Sequence, residues 1–149
     1  MCKANLLYRM QAKPDKIDIW AVDPSESMLR IAIKNNKGDG RRFAIGYSQM
    51  LPFSRRFDMI ISSVSFHHWA HKKESLAYLS GFLKPGGEIR IYELRKSNRF
   101  LAYFLDKHRM SVEELRHAAD GTGLAVKEVV EKNGFVRGTY VKKRMPKNR

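Results

Sequence analysis

The run Phe57-Asp-Met-Ile-Ile-Ser-Ser-Val-Ser65 constrains this chain more than any other stretch. It is short, rich in β-branched residues and apolar on both alternating faces, so it reads as a strand covered from both sides. Strands of that kind belong to parallel sheets, where crossover helices do the covering. The flanking segments fit such a sheet. Ile17–Asp23 is a second mostly apolar run; Pro24 cannot continue its ladder, and Ser25 or Ser27 can cap a helix carrying Met28, Leu29 and Ala32 as far as Asn35-Asn36. Arg41–Tyr47 reads as another strand. Glu74–Leu83 places Leu76, Leu79, Phe82 and Leu83 at helical spacing, Lys84-Pro85-Gly86-Gly87 makes a tight turn, and Glu88–Leu94 is a fourth strand. Ser111 and Glu114 form a capping-box signature for a helix to about Ala119. Val126–Glu131 and Phe135–Lys142, joined around Asn133-Gly134, read as an antiparallel hairpin. The expectation is an α/β protein with a mostly parallel sheet, helices on both faces and an antiparallel C-terminal hairpin.

Composition narrows the class. A length of 149 residues suits one domain, expected over residues 1–142, with a basic and disordered tail at 143–149. With 43% hydrophobic and 30% charged residues, the chain is neither disordered nor fibrous. One cysteine, Cys2, excludes internal disulfides and Cys-only metal sites. The longest candidate for a membrane span, Phe100–Leu105, is cut short at Asp106, and the N-terminus has no apolar secretory region; a reducing cytoplasm is expected. The formal charge of +14 suits an anionic partner. Its only local concentration is Arg137 to Arg149, with six basic residues and no acid, and a basic solvated surface accounts for it more simply than nucleic acid does.

Chemistry in an open parallel sheet gathers outside the carboxyl ends of the strands. Asp23 stands there, able to accept hydrogen bonds from paired hydroxyls or to serve as a helix cap. The run from Ser62 to Ser65 leads there into Phe66-His-His-Trp69, and His67 or His68 can act as a general base or pack at a helix start. His67 and His71 would be i, i+4 on a helix, but no cysteine or nearby acid in the sequence completes a set, so no metal site is expected.

Five phrases in this order carry a resemblance: Ala21-Val-Asp-Pro-Ser-Glu-Ser-Met-Leu29, Met50-Leu-Pro-Phe53, Phe57-Asp-Met-Ile-Ile-Ser-Ser63, Phe66-His-His-Trp69 and Leu83-Lys-Pro-Gly-Gly87. Together they resemble the class I S-adenosylmethionine-dependent methyltransferases, type 11, which include the ubiquinone/menaquinone biosynthesis enzymes. The resemblance implies a Rossmann-like fold and S-adenosyl-L-methionine as cofactor. It implies that Asp23 binds the ribose hydroxyls, that Pro24 and Met28 form an apolar floor beside the adenine, and that Gly46, Tyr47 and Ser48 meet the adenine edge. The family commonly has an acidic residue where Tyr47 stands. Ser62 and Ser63 would lie under the methionine part, with His67 and His68 facing the transferred methyl and the acceptor.

The chain departs from the family at its front. Members begin with a strand ending in a Gly-x-Gly-x-Gly turn, whereas no glycine precedes Gly38 here, and Cys2–Met10 resembles the helix that follows that turn. An N-terminally truncated domain is therefore expected, without the strand that would lie between the first and third strands. The implied activity is methyl transfer to an O, N or C nucleophile of a small molecule. Two alternatives stand beside it: a truncated or inactive methyltransferase fold acting as a partner subunit, and a basic RNA-binding or RNA-modifying module using Arg137–Arg149.

Overall fold

A computed structural model describes residues 17–36, 41–96 and 108–143, which fall into two compact units, Met1–Ser54 and Arg55–Arg149. The expected helix remnant at Cys2–Met10 and the basic residues beyond Lys143 lie outside the described residues.

The first unit is a strand–helix–strand element. β1 (Ile19–Asp23) and β2 (Arg41–Ile45) pair in parallel, from Ile19 opposite Arg41 to Asp23 opposite Ile45. α1 (Glu26–Asn35) lies between them in sequence, as a parallel pair requires. Of the two serines expected to cap it, Ser25 does so: its Oγ accepts the Met28 N–H at 3.4 Å, while Ser27 Oγ bonds to Ser25 Oγ at 2.8 Å. Leu29 and Ala32 supply the buried stripe, and Asn36 closes the helix by donating its side-chain amide to Ala32 O at 2.8 Å.

The second unit is a four-stranded mixed sheet in the order β3–β4–β6–β5. β3 (Phe57–Ser63) pairs in parallel with β4 (Leu83–Leu94); β4 pairs antiparallel with β6 (Phe135–Lys142), and β6 with β5 (Leu124–Lys132). Between β3 and β4 come a 3₁₀ turn (Phe66–His68) and α2 (Lys72–Ser80). The strand β4 starts earlier than its sequence suggests. Lys84-Pro85-Gly86-Gly87 is not a separate turn but a bulge inside β4: Phe57 faces Leu83 and Met59 faces Glu88, so two steps on β3 meet five on β4.

Four features hold this unit together. Along β4, Ile89, Ile91 and Glu93 alternate onto one face and are all fully buried. Leu76 and Leu79 of α2, Leu115 of α3 (Val112–His117), Val136 and Tyr140 are also buried, each large apolar side chain contributing about 1.5–3 kcal/mol. The Tyr140 hydroxyl donates to Leu115 O at 2.7 Å, and burial raises its phenol far above the ordinary range. The capping box at α3 forms as its sequence predicts, with Glu114 N–H donating to Ser111 Oγ at 3.1 Å and Ser111 N–H to Glu114 Oε2 at 2.7 Å. The hairpin turn places both Asn133 (φ 51°) and Gly134 (φ 78°) in the left-handed region, the two-residue geometry that matches strand twist.

Candidate functional site

The carboxyl end of β3 is strained. Val64, a β-branched residue, sits at φ 49°, a conformation costing about 1–3 kcal/mol. It is held there by its N–H donating to Tyr92 O on β4 at 2.7 Å. Beside it the buried Ser62 shares a 2.9 Å hydroxyl bond with Ser65, and Ser63 ends the strand. The chain then turns through Phe66–His68. Phe66 is fully buried with its ring edge-on to Trp69 at 5.0 Å, and Lys72 Nζ donates to His67 O at 3.3 Å and Trp69 O at 3.0 Å. Anchored at both ends, this turn presents the two histidines at the head of the strand.

His67 is aimed by a residue on the neighbouring strand. Its ring Nδ1 lies 2.7 Å from Glu93 Oε2, and its backbone N–H donates to Glu93 Oε1 at 3.2 Å. Glu93 is fully buried and the His67 side chain is 7% exposed, so the pair is shielded from solvent. An ionised carboxylate can only accept, so Nδ1 carries the proton of this bond and Nε2 is the nitrogen left for chemistry. The His68 ring lies against His67, tilted by 46° with centroids 4.0 Å apart, and His108 approaches both at 5.3 Å. Desolvation lowers the His68 pKa below its ordinary value, and the neighbouring His67 and His108 add to the effect. The His108 segment is tied to the end of β4: Met110 N–H donates to Leu94 O at 2.9 Å and Lys96 N–H to Met110 O at 3.0 Å.

The first unit carries the remaining site residues. Asp23 ends β1, and its Oδ1 accepts the Ser25 N–H at 2.8 Å, so the carboxylate does the turn-capping its sequence allows. Its Oδ2 takes no partner among the described residues. Pro24 is exposed and Met28 half-buried at the start of α1. At the end of β2, Gly46 N–H donates to Asp23 O at 3.3 Å, bringing the two strand ends together. A Cβ on Gly46 would lie 2.9 Å from Pro52 Cδ and 3.0 Å from Met50 O, so only glycine lets the loop close here. Tyr47 and Met50 bridge that loop through reciprocal backbone bonds of 3.1 and 2.9 Å, leaving Tyr47 exposed and Ser48 half-buried.

Two expectations need adjustment. His67 and His71 do not form an i, i+4 pair, because Trp69 is extended (ψ 122°) between the 3₁₀ turn and α2, and His71 caps α2. The acid that the local sequence lacks arrives from β4 as Glu93. Its signal was present: it continues the inward register of Ile89 and Ile91, where a carboxylate demands a partner. His108 carried no comparable signal. In the basic C-terminal stretch, Arg137 is ion-paired with Glu128 and Lys142 Nζ donates to Leu83 O at 3.1 Å, so these two cations serve the sheet. Lys143, the first residue of the expected tail, donates its N–H to Gly123 O at 3.0 Å. Among the described residues no helix is long and apolar enough to cross a membrane.

Residues 3–91 match the profile of the methyltransferase domain, type 11. The chain belongs to this S-adenosylmethionine-dependent methyltransferase family. Among its relatives is the ubiquinone/menaquinone biosynthesis C-methyltransferase UbiE of Cupriavidus metallidurans, 30% identical over 108 residues, covering 70% of this chain and 44% of that protein. The chain thus spans less than half the length of that curated relative. Two solved structures share its fold. A chain from the complex of the Haloferax volcanii Trm112 methyltransferase activator with a methyltransferase has a TM-score of 0.71 at 20% identity, covering 84% of this chain and 72% of the other. An S-adenosylmethionine-dependent methyltransferase from Clostridium acetobutylicum has a TM-score of 0.67 at 16% identity, covering 87% and 76%. The Rossmann-like expectation is met, with the antiparallel hairpin at the C-terminal end of the sheet.

Proposed function

We propose that this methyltransferase binds S-adenosyl-L-methionine and transfers its methyl group to an O, N or C nucleophile of a small molecule. The observation that carries the reading is the His67–Glu93 pair at the carboxyl ends of the parallel strands β3 and β4, where open α/β sheets bind their ligands. When bound, the cofactor supplies a methyl already activated by its sulfonium. What remains for the protein is alignment and, for an acidic acceptor, removal of a proton. Asp23 would hold the ribose hydroxyls, and the Oδ2 left over from its capping bond fits that task. Pro24 and Met28 would floor the adenine, Tyr47 and Ser48 line its edge, and Ser62 and Ser63 lie beneath the methionine part. His67, with Nδ1 fixed by Glu93, would present Nε2 to the acceptor, with His68 beside it.

Calorimetric titration with S-adenosylmethionine tests the cofactor assignment. Saturable binding that weakens about tenfold or more in Asp23→Ala is the expected result, in keeping with the loss of a charged hydrogen-bond acceptor. No heat from a well-folded protein overturns it. A second reading, in which the fold works within a complex, is favoured by the structural neighbour solved together with the Trm112 methyltransferase activator. Cofactor binding that appears only when a partner is co-purified supports this second reading.

A further inference from the structure

We propose that His67, His68 and His108 form a binding site for a divalent transition metal ion, with Zn²⁺ the ion that fits best. One ring nitrogen from each of the three imidazoles can be chosen so that all lie within 4.8 Å of one another. Three neutral imidazoles suit zinc, and three protein ligands leave a fourth position open. A tetrahedral zinc ion with bonds of about 2.0–2.1 Å needs nitrogens about 3.3 Å apart. His68 and His108 are exposed and can rotate inward to close that gap, while His67 stays fixed.

Glu93 is the independent sign of a built site. Metal-bound histidines characteristically give their second ring nitrogen to a carboxylate, which sets the tautomer, orients the ring and strengthens the ligating nitrogen. Here that carboxylate is fully buried, bonds His67 Nδ1 at 2.7 Å and leaves Nε2 as the ligand atom. The three histidines come from two segments fixed independently to the sheet: the turn after β3, pinned by Phe66 and Lys72, and the segment after β4, pinned by Met110 to Leu94. Convergence of these segments at one strand end supplies the set that neither provides alone. With zinc bound, His67 Nε2 would be taken up as a ligand and would no longer face the acceptor as a base. The fourth position would be left for a water or an acceptor oxygen, where the ion would supply Lewis-acid chemistry.

The inference concerns metal binding and does not depend on cofactor binding. Tag-free protein stripped with a chelator is titrated with Zn²⁺ by calorimetry, and with Co²⁺ by visible absorption. The expected result is one equivalent bound per chain, with the intense visible bands of four-coordinate Co²⁺. His68→Ala and His108→Ala remove exposed ligands with little risk to folding, and each should weaken Zn²⁺ binding at least tenfold. Glu93→Gln should weaken it by about 10–100-fold with all three ligands retained. His67→Ala is a poorer probe, since it strands the buried Glu93. Failure to bind one equivalent, six-coordinate Co²⁺ spectra, or Zn²⁺ affinity indifferent to His108→Ala would each overturn the site. The S-adenosylmethionine titration of the same samples shows separately whether the cofactor reading stands.

Discussion

The two units of the chain hold their functional residues in different ways. Among the described residues, Leu29 and Ala32 are the buried apolar side chains of the first unit; the second has thirteen, from Phe66 to Tyr140. Asp23 accordingly sits half-buried at the end of a two-stranded ladder, with one carboxylate oxygen spent on a local cap. Glu93 sits at full burial in a four-stranded sheet, with both oxygens spent on His67. Small parallel ladders have little independent stability, and low local stability is common where a ligand must be admitted. Among the described residues, His67 is thus held by two bonds to a buried carboxylate, whereas Asp23 keeps one oxygen beyond its local cap.

Truncating the core should expose this contrast most strongly. Ile91→Ala, at a fully buried position in β4, should cost about 2–5 kcal/mol in urea unfolding followed by circular dichroism. Leu29→Ala should lie at or below the bottom of that range, since the side chain keeps some exposure. Equal costs for the two would erase the distinction between the units. A smaller effect is expected at the edge of the second unit, where Ser111→Ala removes one half of the capping box at α3 and should cost about 1 kcal/mol. The measurement is again the unfolding midpoint. The smallest effect is the pH dependence around Glu88. Burial alone would raise its pKa, but the bonds from Lys127 and Arg90 outweigh burial and hold it below the ordinary value. A carboxylate lowered in the folded state stabilises the fold above its unfolded pKa, and that contribution is lost as pH falls through the folded value. Glu88→Gln should therefore flatten the decline in stability on the acid side of about pH 4.5 and leave the neutral region nearly parallel to the parent. Unchanged acid curves would show that Glu88 is not among the groups that set the slope.

Local chemistry was legible in the sequence. Ser111 and Glu114 predicted their own capping box, Asn133-Gly134 its own turn, and the apolar run at Phe57 its parallel pairing. Each depends on residues a few positions apart. The covering of that run on both faces is not met: among the described residues β3 stands at an edge of its sheet, with Met59, Ile60 and Ile61 half-buried. In the sequence, Lys84–Gly87 has the signature of a turn, because its place in a ladder depends on Phe57, a partner distant in the chain. The candidate site was legible by halves for the same reason. His67, His68 and Asp23 stand at strand ends that hydrophobic patterning locates. The alternation Ile89, Ile91, Glu93 marks Glu93 as inward-facing, but its partner follows only from the pairing of β3 with β4, and His108 reaches the site only through the docking of Met110 on Leu94.

The left-handed Val64 between β3 and the histidine turn has a consequence for anyone engineering this protein. A search for thermal tolerance would favour glycine or asparagine at that position, since either relaxes the backbone at little steric cost. The relaxed chain would have more ways to leave β3, and the orientation of the following turn would broaden. An improvement in melting temperature there is expected to come at the expense of the geometry that holds His67 against Glu93.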